Sequence, residues 1–231
     1  MSMTGAEAKT TTALGEPDAW SREVVRVYRR YQSEIVEACG LCPWAERARV
    51  DQKVREWVVN ETDRGNSASS LTVMDEMFAV PGIEIALLIY PRLQASRAEF
   101  ERFVARVRDA DSRRHPLGKI PFMFAAFHPE APPDVTNPER LIPFLRRTPD
   151  PTIQLVRASV VEKIRGKTPQ GTQFFDSKTL LADLEKPAPG MREKIAQTNF
   201  ETVQKIGVDE LGRRLDDILR DRNESYGKFL I

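Results

Sequence analysis

Two short apolar runs limit what this chain can fold into more than any other feature. They are residues 83–90, Ile-Glu-Ile-Ala-Leu-Leu-Ile-Tyr, and residues 120–127, Ile-Pro-Phe-Met-Phe-Ala-Ala-Phe. Each is apolar on both faces for most of its length, so each reads as an inner strand covered from both sides. Pro121 is tolerated because it falls near a strand start. Between the runs, Ser96 and Glu99 form a capping box ahead of Phe100, Phe103, Val104 and Val107 at helical spacing. Alternating strands and helices predict an α/β fold: a small layered sheet with at least partly parallel strands, helices packed on it and extra C-terminal helices. Ligands of such sheets gather outside the strand C-terminal ends. Here those ends carry Arg92 and His128.

Elsewhere the pattern predicts a helix capped by Asp18, with Val24, Val27, Tyr28, Tyr31, Ile35 and Ala38 on its apolar face and Gly40 as its stop. Cys42 then sits at an N-cap with Pro43 at the first helical position of a short turn. A strand over residues 56–60 and a helix over 68–78 follow. Seven of the sixteen prolines lie between His128 and Pro151, which predicts an ordered loop. Asp150 and Pro151 are expected to open a helix along Ile153, Val156, Val160 and Ile164, stopping near Gly166. Segment 168–190 is mixed, with a short helix at 180–184. Two more helices are expected over 191–206 and 208–222, parted near Gly207. The resulting division is a disordered tail, 1–17, a single α/β domain, 18–207, and a helical extension, 208–231.

Lys and Arg number 35 against 34 Asp and Glu, so the balance of charge gives no reason to expect a nucleic-acid or membrane partner. No apolar run approaches the ~20 residues of a spanning helix, and the first residues lack the basic start and apolar stretch of a secretory signal. Two cysteines in 231 residues do not form a disulfide framework. The expectation is a cytoplasmic protein.

Cys42, in Gly40-Leu41-Cys42-Pro43-Trp44, is the leading candidate for chemistry, because a thiol at a helix N-terminus faces unpaired N–H groups and the positive end of the helix dipole. A free cysteine is as often a small buried hydrophobe. Cys39 completes a Cys-x-x-Cys but falls in the last turn of the preceding helix, where packing explains it. His128 follows a strand directly and suits a general base, a proton donor or a metal ligand; a histidine that merely ties off a strand end is the equal alternative. His115 belongs to a polar turn. Arg92, Arg146, Arg147 and Arg157 cluster around the presumed sheet end, where arginine forks trap carboxylate or phosphate; solvated arginines are the commoner case. Dinucleotide, Walker-type, Gly-x-Ser-x-Gly and kinase signatures are absent.

Leu41-Cys42-Pro43-Trp44-Ala45, Leu88-Ile89-Tyr90-Pro91-Arg92, Ala126-Phe127-His128-Pro129 and Arg147-Thr148-Pro149-Asp150-Pro151, continued by Leu155-Val156-Arg157-Ala158-Ser159-Val160, occur in that order. Together they resemble an uncharacterised bacterial family filed as domain of unknown function 1415, over roughly residues 22–207. Trp44 replaces a usual Phe, Tyr90 stands where a histidine is common, and Cys39 is peculiar to this chain. The resemblance implies Cys42, Pro43, Arg92, His128, Pro129, Arg147, Pro149, Arg157 and Asn199 as family positions, with no activity attached. Three functions remain open. One is an enzyme with Cys42 as reactive thiol near His128, doing covalent or redox chemistry on a small anionic molecule held by Arg92, Arg147, Arg157 and Asn199. Another is a haem- or iron-binding protein ligated by Cys42 or His128. The third is a non-catalytic anion- or partner-binding module. Segments 168–190 and 208–231 offer contacts for a homodimer.

Overall fold

A computed structural model describes residues 18–42, 44–115, 121–165 and 191–229. The fold is α/β. Four strands, β1 (Val54–Val58), β2 (Ile85–Ile89), β3 (Phe122–Phe127) and β4 (Thr152–Arg157), form one mixed sheet in the order β1-β2-β4-β3. β1 and β2 are parallel, while β4 runs antiparallel to both β2 and β3. The C-terminal ends of β1, β2 and β3 therefore share an edge with the start of β4, with Ile89 and Phe127 both in register with Thr152.

β2 is buried on both faces, as its apolar run requires. Leu87 and Ile89 join one core, and Ala86, Leu88 and Tyr90 join the other. The first core is closed by α1 (Ala19–Arg30), its π-helical continuation Tyr31–Glu37, α5 (Pro138–Leu145), α7 (Met191–Ile206) and α8 (Val208–Gly227). The second is closed by α3 (Ala68–Ala79) and α4 (Arg97–Ser112). Asp18 caps α1 by accepting the Ser21 N–H at 2.6 Å, and Ser96 with Glu99 forms the expected capping box.

Three expectations are corrected. Segment 152–157 is a central strand, not a helix. The Ile153–Val156–Val160–Ile164 spacing mimics a helical face, but Ile153 and Leu155 alternate into the second core and β4 gains a ladder on each side. The helix begins only at Ala158, as α6 (Ala158–Arg165). Because β4 inserts beside β2, β3 is an edge strand rather than an inner one, with Met123 44% exposed. The proline-rich loop contains α5, opened by Asn137, whose side chain accepts the Arg140 N–H, with Pro138 in the first turn, where its missing N–H costs nothing. The tail 1–17 and segment 168–190 with its short helix lie outside the described residues.

Candidate functional site

The motif-bearing segments meet at the edge where β1, β2 and β3 end. Their common partner is residues 145–151, between α5 and β4. The Tyr31 hydroxyl donates to the Leu145 carbonyl at 2.8 Å, and the His128 N–H donates to the Arg146 carbonyl at 3.1 Å. Arg147 Nε donates to the Pro129 carbonyl at 3.0 Å, and the Tyr90 N–H to the Pro151 carbonyl at 2.9 Å. Three segments separated in sequence are thus tied to one connector by four hydrogen bonds.

His128 is nearly buried, at 5% exposed. Its Nδ1 accepts the Glu130 N–H at 3.1 Å and its Nε2 lies 3.0 Å from the Ala95 carbonyl. That pairing assigns the proton to Nε2 and leaves neither ring nitrogen spare. Burial lowers the pKa of this imidazole, against an opposing pull from the Ala95 carbonyl, so the ring is held neutral. As it stands, His128 ties off a strand end; acting as a base or a metal ligand requires releasing a backbone partner.

Cys42 owes its position to a Schellman stop. Gly40 adopts φ +61°, the Gly40 N–H donates to Glu37 O and the Leu41 N–H to Val36 O. Leu41 plugs the first core, its carbonyl accepts Asn199 Nδ2 at 3.0 Å, and Cys42 emerges half-buried with a free thiol. The expected N-cap position is not found. The short α2 (Ala45–Val50) starts three residues later with Trp44 as its cap residue, so Cys42 lies outside the helix end. Cys39 is packed in the first core, where burial raises its thiol pKa. The Tyr31 phenol is fully buried and its pKa is shifted upward by that burial, against an opposing pull from Arg146.

The arginines have different fates. Arg92 is exposed at the sheet edge, its guanidinium 5.2 Å over the Trp20 ring. Arg147 bridges Pro129 to Asp216 on α8. Arg157 lies at the opposite end of β4, where it binds the carbonyls of Met77, Val80 and Ile83 and closes the end of α3. Asn199 holds the carbonyl beside Cys42. The structure thus places Arg92, Arg147 and His128 at one edge and Arg157 at the other.

Two features escaped the sequence reading. A cavity of about 220 Å³ lies against β3, between the start of α4 and the end of α5; His128, Arg97, Arg146 and Glu101 line it. Deeper at the sheet edge, the carboxylate of Asp150, 0% exposed, accepts Arg222 Nε at 2.8 Å and the Tyr226 hydroxyl at 2.6 Å. Burial raises the Asp150 pKa while Arg222 and Tyr226 oppose the rise. Periodicity carries no signal for the Asp150 network, because α8 begins 58 residues further along the sequence, nor for the cavity, whose walls come from α4, β3 and α5. Among the described residues no three His, Cys, Asp or Glu side chains gather into a set that could hold a metal ion, and no helix is long and apolar enough to cross a membrane.

The family described as Protein of unknown function (DUF1415) matches residues 23–181, and the chain belongs to it. No curated protein and no solved structure matches the chain.

Proposed function

We propose that this member of the DUF1415 family is a cytoplasmic enzyme that uses Cys42 as its reactive thiol and holds a small anionic substrate in the cavity beside His128. One observation carries this reading. The Tyr31 hydroxyl donates to the carbonyl of Leu145, the residue before Arg146 on the cavity wall, and the Tyr31 ring packs in the same core as Leu41, the residue before Cys42, so one buried phenol joins the two segments. In this reading Arg146 and Arg97 meet the anion, while His128 shapes the cavity floor as a neutral ring. Arg147 and Asn199 act one step back: the first fixes the loop after His128 and the second fixes the Leu41 carbonyl beside the thiol. Arg157 has no part in binding. The choice of compartment rests on two free cysteines in a chain without a disulfide framework.

Iodoacetamide labelling of the native chain, followed by mass spectrometry across a pH series, tests the thiol. Cys42, half-buried with a free thiol, is expected to be labelled in the native chain and to be slowed by millimolar carboxylates, with the slowing lost in Arg146→Ala. A Cys42 that is inert, or that reacts identically with and without anions, would overturn the reading.

A further inference from the structure

We infer that the cavity takes a short peptide with a free C-terminal carboxylate, laid along β3 as one added parallel strand. This rests on the reading of the cavity as the anion site and names the class of molecule it accepts.

The ladder geometry decides which backbone groups face the cavity. The Ala158 N–H donates to the Pro121 carbonyl at 2.8 Å, and Pro121 is the position just before the Phe122–Arg157 pair. Antiparallel pairs alternate between bonded and non-bonded, so Met123, Ala125 and Phe127 exchange their bonds with β4. Phe122, Phe124 and Ala126 turn their N–H and C=O groups to the outer edge. Phe124, Ala125 and Ala126 line the cavity, and among the described residues no hydrogen bond fills the outward groups of Phe124 and Ala126. Strand edges of this kind are templates for an added strand.

The edge is closed at one end. The next outward N–H in the series, that of His128, is taken by the Arg146 carbonyl at the end of α5. A strand pairing with Phe124 and Ala126 must therefore stop at Arg146, and a chain terminus fits a closed end. The charges that line the cavity, Arg97 and Arg146 against the single carboxylate of Glu101, leave an excess of positive charge and select which terminus. Arg146 lies with its guanidinium 5.3 Å over the Phe127 ring, and Arg97 enters from α4 on the other layer. Arg97 gives its Nε to Glu101 in an exposed pair at 2.9 Å and has Nη donors left for a carboxylate. A carboxylate at this end means the ligand runs in the direction of β3. The volume, about 220 Å³, equals the liquid share of about seven waters, which limits the enclosed part to roughly two small residues. Small walls at Ala125, Ala126 and Ala131 suit a peptide backbone lying close.

Calorimetric titration of the full chain with trialanine, trialanine amide, trialanine N-methylated at its central nitrogen, and acetate tests this. Trialanine is expected to bind, with about a tenfold loss for the amide and for Arg146→Ala, as loss of a charge-assisted bond implies. A loss is also expected on N-methylation. Arg97→Ala repeats the test should Arg146→Ala fail to fold by circular dichroism. Acetate binding as tightly as trialanine, with N-methylation silent, would overturn the peptide assignment and leave the anion site standing. No binding of trialanine, acetate or phosphate would remove the anion site itself. A dimer whose formation excludes trialanine would assign the edge to a second copy and overturn the inference.

Discussion

Replacing Arg222 by alanine should destabilise this protein more at neutral pH than at mildly acidic pH, and the buried carboxylate of Asp150 sets the size of the effect. Asp150 is 0% exposed, accepts Arg222 Nε at 2.8 Å and the Tyr226 hydroxyl at 2.6 Å, and forms an ion pair with Arg222 Nη2 at 2.7 Å. Removing the arginine leaves a buried charge with one neutral donor, a change that costs about 3–5 kcal/mol in comparable buried pairs. Tyr226→Phe removes a single bond to a charged acceptor and should cost about 1.5–3 kcal/mol. The pH dependence follows from linkage. Burial raises the Asp150 pKa in the folded state, so the native chain holds this proton more tightly than the unfolded one. Its contribution to stability is then greatest at low pH and falls as pH rises through the window from the unfolded carboxylate range to the raised folded value. Without Arg222 that window extends to higher pH, so the variant's deficit should shrink as pH is lowered from 7 towards 5. Urea unfolding of both proteins at both pH values, with equal m-values, measures it. The double variant Asp150→Asn with Arg222→Met should recover part of the loss, since it removes both charges together. A deficit below about 1 kcal/mol at pH 7, or one unchanged at pH 5, would refute the reasoning.

Three further perturbations separate the roles assigned to the candidate residues. In a native iodoacetamide time course Cys42 should be labelled before Cys39, which is 7% exposed with its thiol pKa raised by burial; equal rates would show that the first core is open around Cys39. Arg157→Ala should cost about 2 kcal/mol in chemical unfolding through the three carbonyls it leaves at the end of α3, with trialanine or anion affinity unchanged. A loss of affinity would return Arg157 to the site. Burial lowers the His128 pKa, so the unfolded chain takes up that proton first as pH falls and stability drops below about pH 6.5. His128→Asn should flatten the fall between pH 7 and 5, and an unchanged slope would contradict the neutral, locked ring.

What the sequence made legible follows from how local each signal is. Asp18, Ser96 with Glu99, and Gly40 act within one turn of the chain, so their side chains or backbone angles announce helix ends directly, and the structure has each of them doing so. β2 was readable because a strand buried on both faces has no polar period to hide. β4 was not, since Ile153, Val156, Val160 and Ile164 satisfy a helical spacing by coincidence and only the ladders to β2 and β3 reject it. The same insertion turned β3 into an edge strand without altering its composition. Pro43 suits a first helical position and so points to a helix start at Cys42, yet the helix opens at Ala45. The Asp150–Arg222–Tyr226 network was out of reach for a different reason: it joins a loop to a helix across a sequence gap of 72 or 76 residues. The matched family span holds Asp150 and neither of its partners on α8.

The connector 145–151 explains why the densest motif in the chain carries no period at all. Its carbonyls serve separate elements: Leu145 accepts from the Tyr31 hydroxyl, Arg146 from the His128 N–H, and Pro151 from the Tyr90 N–H, while Asp150 accepts from the hydroxyls of Thr148 and Thr152. A helix or strand through these residues would spend the same carbonyls on its own ladder, leaving the buried partners unpaired at the desolvation cost of each. Pro149 and Pro151 remove donors that would otherwise need acceptors in a fully buried stretch, and they fix φ so that the carbonyl directions are set before the partners arrive. A segment whose prolines mark it as a loop is therefore backbone held by several separate elements at once. Substitutions in it should act on the positions of His128 and Arg146 before they act on any contact with a ligand.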